Sequence, residues 1–175
     1  MKIYYLTGVS GAGKSAVAKK LAEKGVFSID VDSVKGLCHW RDKNTEEIAQ
    51  WHPGMTSEWY KSHKYIWDRE KLNNLIKNSG KNTIVIAGLA HDSSELWDLF
   101  DKVFLLYCNK ETFIKRITER ENHDFGKHSL EKEYILSWHK DFENEMLEGG
   151  AVPINTEHPL MDVVEEIYYN LTNLK

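Results

Sequence analysis

The stretch Gly8-Val9-Ser10-Gly11-Ala12-Gly13-Lys14-Ser15 fits the pattern Gly-x-x-x-x-Gly-Lys-[Ser/Thr], and nothing else in the chain constrains its fold so tightly. Before it stands an apolar run, Ile3-Tyr4-Tyr5-Leu6, that reads as a buried strand. After it the spacing predicts a helix over about 14–24, with Val17, Ala18 and Leu21 on one face and Gly25 as its stop. Strand, glycine-rich turn and helix in that order make a phosphate cradle. Glycines let the backbone curl so that its N–H groups face inward, and the helix adds its positive end. Lys14 is then expected to reach the terminal phosphates of a nucleoside triphosphate, and Ser15 to offer a hydroxyl to Mg²⁺. Gly8, Ser10, Gly11, Ala12, Gly13 and Ala16 complete the expected cofactor contacts.

Four further apolar runs, 26–29, 83–87, 103–107 and 151–154, alternate with helical patterns over about 94–100, 110–120, 130–147 and from Leu160 onward. Alternation of this kind implies a parallel sheet covered on both faces, a three-layer α/β architecture. Residues 33–80 differ in character. Their apolar residues are mostly aromatic, with four of the chain's 6 tryptophans (Trp40, Trp51, Trp59, Trp67), and histidines recur. Two helices are predicted there, about 45–51 and 57–78, separated by His52-Pro53-Gly54, the second carrying Trp59, His63, Ile66 and Trp67 on one stripe. With 175 residues and no linker or repeat, a single domain is expected.

Several function classes are disfavoured. A net charge of −4 argues against a broad basic surface for nucleic acid, and no apolar run approaches a membrane span. Met1–Thr7 is too short an apolar start for a signal peptide, and two distant cysteines, Cys38 and Cys108, suit a reducing cytoplasm. A GTPase would need Asn-Lys-x-Asp, which Asn109-Lys110-Glu111-Thr112 fails at its last position. Asp124-Phe125-Gly126 mimics a protein-kinase signature without the accompanying catalytic loop. A large AAA-type ATPase needs more chain.

Arg116 and Arg120 are spaced i, i+4 at the inner edge of a helix's buried face. Such a pair can pack its stems at a boundary and pair with Glu119 or Glu121. Beside the carboxyl ends of a parallel sheet it can instead stack on a base and clamp a transferring phosphoryl group. Asp30-Val31-Asp32 closes the second strand, and alternation puts both carboxylates on one side. Either they serve the turn, or Asp32 orients and deprotonates an acceptor hydroxyl while Asp30 serves the metal. Trp40, Trp59, Trp67, Tyr60 and Tyr65, with Arg41, His39 and His63, either form a pocket for the acceptor's flat ring and an anionic substituent or fill a local core, and Trp40 and Arg41 lie nearest to Asp32 in sequence. His39, His52 and His63 show no zinc spacing and read as packing or surface residues.

Together with the Gly-Ala-Gly-Lys-Ser loop, Arg116-Ile-Thr-Glu-Arg120, the polar stretch 121–129 and Asn155-Thr-Glu-His-Pro159-Leu160 make the chain similar to the nucleoside monophosphate kinase and shikimate kinase group of small P-loop phosphotransferases. The resemblance implies a P-loop NTPase fold with a five-stranded sheet in the order 2-3-1-4-5. Its core would be residues 1–32, 81–120 and 138–175, with a substrate-binding excursion at 33–80 and a lid at 121–137. It also implies that Arg116 lies near adenine, that Arg120 contacts phosphates, and that the loop from Asn155 to Pro159 flanks the base. Lys127 would be either a lid cation or a solvated lysine. Asp-x-Asp at 30–32 is similar to that of shikimate kinases.

The chain departs from the group where its third strand ends in Ala87-Gly88-Leu89-Ala90-His91-Asp92. No Walker B aspartate stands there, and Asp92 is a poor substitute. Gly88 is carried as an acceptor contact, although the three-glycine acceptor loop of shikimate kinases and the Asp-Gly-x-Pro-Arg of adenylate kinases are both missing. The expectation is an ATP- and Mg²⁺-dependent phosphotransferase, monomeric or weakly dimeric, acting on a small acceptor. A nucleoside or nucleotide leads, and a shikimate- or gluconate-like alcohol follows. The rivals are a nucleotide-binding switch without an acceptor and a kinase of polynucleotide ends, which would need a basic groove.

Overall fold

The computed structural model describes residues 1–91, 93–121 and 124–173. Its centre is a parallel sheet of β1 (Lys2–Thr7), β2 (Phe27–Asp30), β6 (Thr83–Ala87), β7 (Lys102–Tyr107) and β8 (Val152–Asn155). The spatial order is β2-β6-β1-β7-β8. Three strands of a second sheet, β3 (Cys38–Asp42), β4 (Ile48–Ala49) and β5 (His63–Trp67), intervene along the chain, so within the large sheet the order is 2-3-1-4-5. Tyr4, Leu6, Val85 and Phe104 belong to the core under α1 (Lys14–Glu23), α4 (Lys110–Glu119) and α6 (Leu160–Thr172). Ile3, Tyr5, Ile84 and Leu105 belong to the core on the other face, with α3 (Arg69–Asn78) and the distal part of α5 (Ser129–Glu148). Period-two alternation thus feeds both layers, which is why these strands read as unbroken apolar runs. Burying each such side chain contributes about 1.5–3 kcal/mol.

The excursion departs from the sequence reading. Instead of two helices over 45–51 and 57–78, β3 pairs antiparallel with both β4 and β5, with Trp40 opposite Tyr65 and Cys38 opposite Trp67. Only Ser57–Ser62 (α2) and Arg69–Asn78 (α3) are helical. The stripe Trp59-His63-Ile66-Trp67 has helical spacing, but its second half is rich in aromatic and β-branched residues and is recruited by β3. Thr56 caps α2, and Asp68 restarts the helix by accepting the Lys71 N–H at 2.9 Å. The helix expected at 94–100 is a 3₁₀ helix over Ser93–Leu99. Asn109 caps α4, accepting the Thr112 N–H at 2.8 Å. Among the described residues no helix is long and apolar enough to cross a membrane.

Candidate functional site

The phosphate loop links β1 to α1 with Gly8, Gly11 and Gly13 at φ of 148°, 84° and 102°. Two of these positions admit no side chain. A Cβ on Gly8 would stand 2.4 Å from the Leu106 carbonyl oxygen, and one on Gly11 would stand 2.6 Å from that of Phe113. The loop is therefore pressed against β7 and α4, and its concave side faces a cleft of about 780 Å³ at the carboxyl ends of the strands. Lys14 folds over the loop and donates to the carbonyls of Gly8 (2.7 Å) and Val9 (3.0 Å). Burial pulls its pKa down to about 8, Asp32 works against that shift, and Arg120 adds to it. A partly desolvated ammonium resting on carbonyls is poised to exchange them for phosphate oxygens. Ser10, Gly11, Gly13, Ser15 and Ala16 line the same cleft, whereas Ala12 is wholly buried beneath the loop.

A scan of family models matches residues 5–139 to the model described as AAA domain. The chain belongs to the AAA-domain family. The match runs over much of the core, including the phosphate loop and the arginine helix. No curated protein matches the sequence. Among solved structures, the shikimate kinase from Acinetobacter baumannii in complex with shikimate is similar at TM-score 0.63 and 18% identity, over 100% of this chain and 96% of that one. Deoxyadenosine kinase from M. mycoides with bound dATP is similar at TM-score 0.59 and 15% identity, over 99% and 100%. A gluconokinase from Sinorhizobium meliloti 1021 is similar at TM-score 0.54 and 18% identity, over 97% and 91%. Identities this low establish a shared fold.

In this AAA-domain chain Asp30 and Asp32 both line the cleft, but not by strand alternation. β2 ends at Asp30, and Val31–Ser33 turn into a 3₁₀ helix that Asp30 caps by accepting the Asp32 N–H at 3.2 Å. The turn aims Asp32 at β5, where the Tyr65 hydroxyl donates to its Oδ1 at 2.8 Å. Desolvation and the neighbouring carboxylate raise the Tyr65 pKa, so the phenol stays a donor. Cys38 also lines the cleft, but burial pushes its thiol up to about 12, so it is no thiolate nucleophile.

Arg116 and Arg120 reach the cleft from α4. Arg116 donates to the Thr156 hydroxyl at 3.0 Å and to the Thr156 carbonyl at 2.6 Å. Arg120 stands just past the last residue of α4 in extended conformation, and its guanidinium donates to the Phe125 carbonyl. Burial works against the Arg120 charge, while Asp32, Asp124 and Glu131 favour it. The loop expected to flank the base behaves differently. Asn155 accepts the Glu157 N–H at 3.0 Å, Pro159 precedes α6, and neither lines the cleft; the Arg116 contact passes through Thr156.

Two acceptor-side candidates, Arg41 and Gly88, stand outside the cleft wall, as does Lys127 of the lid stretch. Arg41 lies on the face of β3 opposite Trp40, where it donates to His39 Nε2 at 3.0 Å and to the Glu46 carbonyl at 3.2 Å, so it is not in the cleft wall. Gly88 is absent from that wall too: a Cβ there would stand 2.1 Å from Val31 Cγ2, so the glycine exists to let β6 pass under Val31. Lys127 pairs with Asp124 at 3.1 Å and does not line the cleft. Asp92 lies outside the described residues.

Trp40 meets the expectation of a cleft residue and that of a core residue at once. It is 9% exposed, its ring lies 5.0–5.6 Å from those of Trp59, Tyr60, Tyr65 and His91, and it faces the cleft. Trp67 instead belongs to the main core and donates to the Leu89 carbonyl at 3.1 Å.

Of the aromatic pocket candidates Tyr65 does line the wall, whereas His91, Tyr134 and Trp138, which line it too, were not among them. The Tyr65 N–H donates to His91 Nδ1 at 3.0 Å, which leaves the proton on Nε2, facing the Tyr134 hydroxyl at 2.8 Å. Desolvation lowers the His91 pKa, in keeping with a neutral ring. Tyr134 stacks on Tyr60 at 4.2 Å. The signal available was the i, i+4 spacing of Tyr134 and Trp138 on α5, which reads equally well as core.

A smaller hollow of about 230 Å³, lined by Lys24, Phe27, Lys81 and Tyr168, carries none of these groups.

Proposed function

We propose that the protein is an ATP- and Mg²⁺-dependent phosphotransferase acting on a small acceptor, with a nucleoside or nucleotide favoured over a shikimate- or gluconate-like alcohol. One observation carries the reading. A phosphate loop with its lysine and serine, two carboxylates, two arginines and an aromatic wall share one cleft, wide enough for two small molecules side by side.

The residues fit the cofactor. The loop is a cradle that a Cβ would fill, and the Ser15 hydroxyl with the Asp30 carboxylate is the hard oxygen set that Mg²⁺ accepts together with phosphate oxygens. Bound Mg²⁺ supplies charge neutralisation of the phosphates. Lys14 and Arg120 stabilise the charge that spreads over the transferred group, and Arg116 supports the nucleotide from the β8–α6 side. Asp32, oriented by Tyr65, takes the proton of the acceptor hydroxyl as its oxygen bonds to the γ-phosphorus and the bond to the β-phosphate oxygen breaks. ADP and the phosphorylated acceptor leave, and the proton passes from Asp32 to solvent. The turn at 124–128 with the first turns of α5 acts as the lid over this centre, and residues 33–80 hold the acceptor.

The relatives whose names specify shikimate, deoxyadenosine and gluconate support a phosphoryl transfer to small hydroxyl compounds. The second reading is a nucleotide-dependent switch, favoured by the lack of a carboxylate within β6. An ATP-consumption screen against nucleosides, nucleotides and small alcohols separates the two. Acceptor-dependent turnover is expected, and ATP binding without it selects the switch. Lys14→Ala should weaken ATP binding about 10–100-fold, on the scale of hydrogen bonds to a charged group. The fold should survive, since the Lys14 ammonium bonds only to its own loop. Undiminished turnover in that variant would refute the phosphate-loop assignment.

A further inference from the structure

The cleft is electrically lopsided. Its cations are Lys14, Arg116 and Arg120 among the described residues; Lys14 and Arg116 belong to the phosphate end, and Arg120, which donates to the Phe125 carbonyl, stands where the two ends meet. Lys14 lies on the loop, Arg116 is tied to Thr156, and Arg120 sits close enough to Lys14 to lower its pKa. The other end is walled by Trp40, Trp51, Tyr65, Phe125, Tyr134 and Trp138. The cations nearest in sequence stand outside the wall: Arg41 lies behind His39, to which it donates, and reaches the Glu46 carbonyl, Lys43 bonds to the Lys61 carbonyl, Lys64 to Glu46 and Lys127 to Asp124. Of the positions outside the described residues, 92, 122 and 123 are Asp, Asn and His, and the last two, 174 and 175, are Leu and Lys. The histidines of the wall are held neutral: His39 accepts from Arg41, and His91 accepts from the Tyr65 N–H.

From this asymmetry, and resting on the phosphotransferase reading above, we infer that the acceptor is an uncharged, flat-ringed alcohol of the nucleoside type, and that acceptors carrying a phosphate or carboxylate are selected against. A desolvated anion needs a cation beside it, and beyond Arg120 at the junction, which the reading above gives to the transferred phosphoryl group, no lysine or arginine lines the wall around the aromatic rings among the described residues. The acid at the junction points the same way. A hydroxyl nucleophile has a proton to lose, and Asp32 can accept it. A phosphate nucleophile is already anionic, gains nothing from a base, and would face Asp32 with like charge. The Tyr134 hydroxyl, which accepts from His91 Nε2 and keeps its own proton to donate, and the lone pairs of the Tyr65 hydroxyl, whose proton goes to Asp32, offer neutral hydrogen bonds suited to ring nitrogens, carbonyls and sugar hydroxyls.

The test uses the full chain with ATP and Mg²⁺. ATP affinity is first measured by equilibrium dialysis. The kcat/KM is then compared within pairs that differ by one charged group: each common nucleoside against its 5′-monophosphate, and sorbitol against gluconate. At least a tenfold preference for the uncharged member, with a nucleoside leading, is expected. Equal values, a preference for the charged member, or turnover of none while ATP still binds would overturn the inference and leave the phosphate loop intact. Failure to bind ATP would overturn both readings. Ala49→Lys, on the edge strand β4 and in the cleft wall, places a cation at the aromatic end. It should shift the ratio toward the monophosphate about tenfold, and an unmoved ratio counts against the inference.

Discussion

Glu131 has no exposed surface, yet it is a carboxylate, and its contacts explain why the fold retains it. Its Oε1 accepts the Gly54 N–H at 2.9 Å, and its Oε2 accepts the N–H of Gly126 at 2.6 Å and that of His128 at 3.4 Å. One side chain thus closes the capping box of α5 and ties the loop after Trp51 to the turn after Phe125, both residues of the cleft wall. Glu131→Ala orphans three donors. The Gly126 N–H is buried and loses a charge-assisted bond, worth about 1.5–3 kcal/mol. The other two are partly reached by water, so each adds roughly 0.5 kcal/mol. The expected loss is about 3 kcal/mol, which for a chain of this size lowers Tm by roughly 6–12 °C. Glu131→Gln keeps an acceptor for one loop but turns an amide toward the other's N–H, and should lose about half as much. Urea titration followed by tryptophan fluorescence reads the change as a shift of midpoint at constant slope. A loss below about 1 kcal/mol for Glu131→Ala would show that the carboxylate is not the tie, and the argument from its three bonds would fail.

Three further predictions concern the cleft. Because burial holds Lys14 near 8 in the free protein, a bound triphosphate should raise it again. Binding near pH 8 therefore takes up a proton, and ATP affinity falls as pH climbs through that value; calorimetry in buffers of different ionisation enthalpy measures the uptake, and none at pH 8 counts against a desolvated Lys14. Asp32→Asn should lower kcat far more than ATP affinity, and Tyr65→Phe, which removes the 2.8 Å bond to Asp32, should lower kcat about 5–10-fold with ATP affinity unchanged; equal losses in kcat and ATP affinity would place Asp32 on the nucleotide side. Gly88→Ala drives a methyl into Val31 and should cost about 1–3 kcal/mol, with recovery in the Gly88→Ala/Val31→Ala double variant; additivity of the two substitutions in denaturant titration would refute the contact.

The parts of the molecule that were legible in the sequence are those whose physics is local. The phosphate loop is one continuous segment, its strand and helix adjoin it, and each large-sheet strand is a run buried on both faces. The excursion was illegible because its decisive bonds are long-range. Nothing within 63–67 says that it will pair with 38–42, and the helical stripe through Trp59 and Trp67 is real in spacing though not in structure. The acidic pair was found for an incomplete reason. Alternation would have carried Asp30 and Asp32 along a strand, whereas the structure bends the chain at Asp30 and lets Tyr65, 33 residues away, take Asp32.

The same distinction explains why the aromatic residues could not be sorted into pocket and core from sequence. Trp40 packs on four rings, of which Trp59 and Tyr60 stand outside the cleft wall and Tyr65 and His91 share it, and it keeps 9% of its surface exposed. A wall of this kind must be rigid to select a flat ligand, and rigidity is supplied by packing the far side of each ring. His91 shows the polar form of that requirement: its Nδ1 is fixed by the Tyr65 N–H and its Nε2 by Tyr134, so two elements set one imidazole. Cleft and core are then two faces of the same side chains, and a residue's role follows from which face the second sheet leaves uncovered. That is decided by the β3–β5 register, where Trp40 meets Tyr65 and Arg41 is sent, with Lys64, to the opposite side. A shift of that register by one residue would exchange Trp40 for Arg41 in the wall and give the acceptor end the cation it lacks.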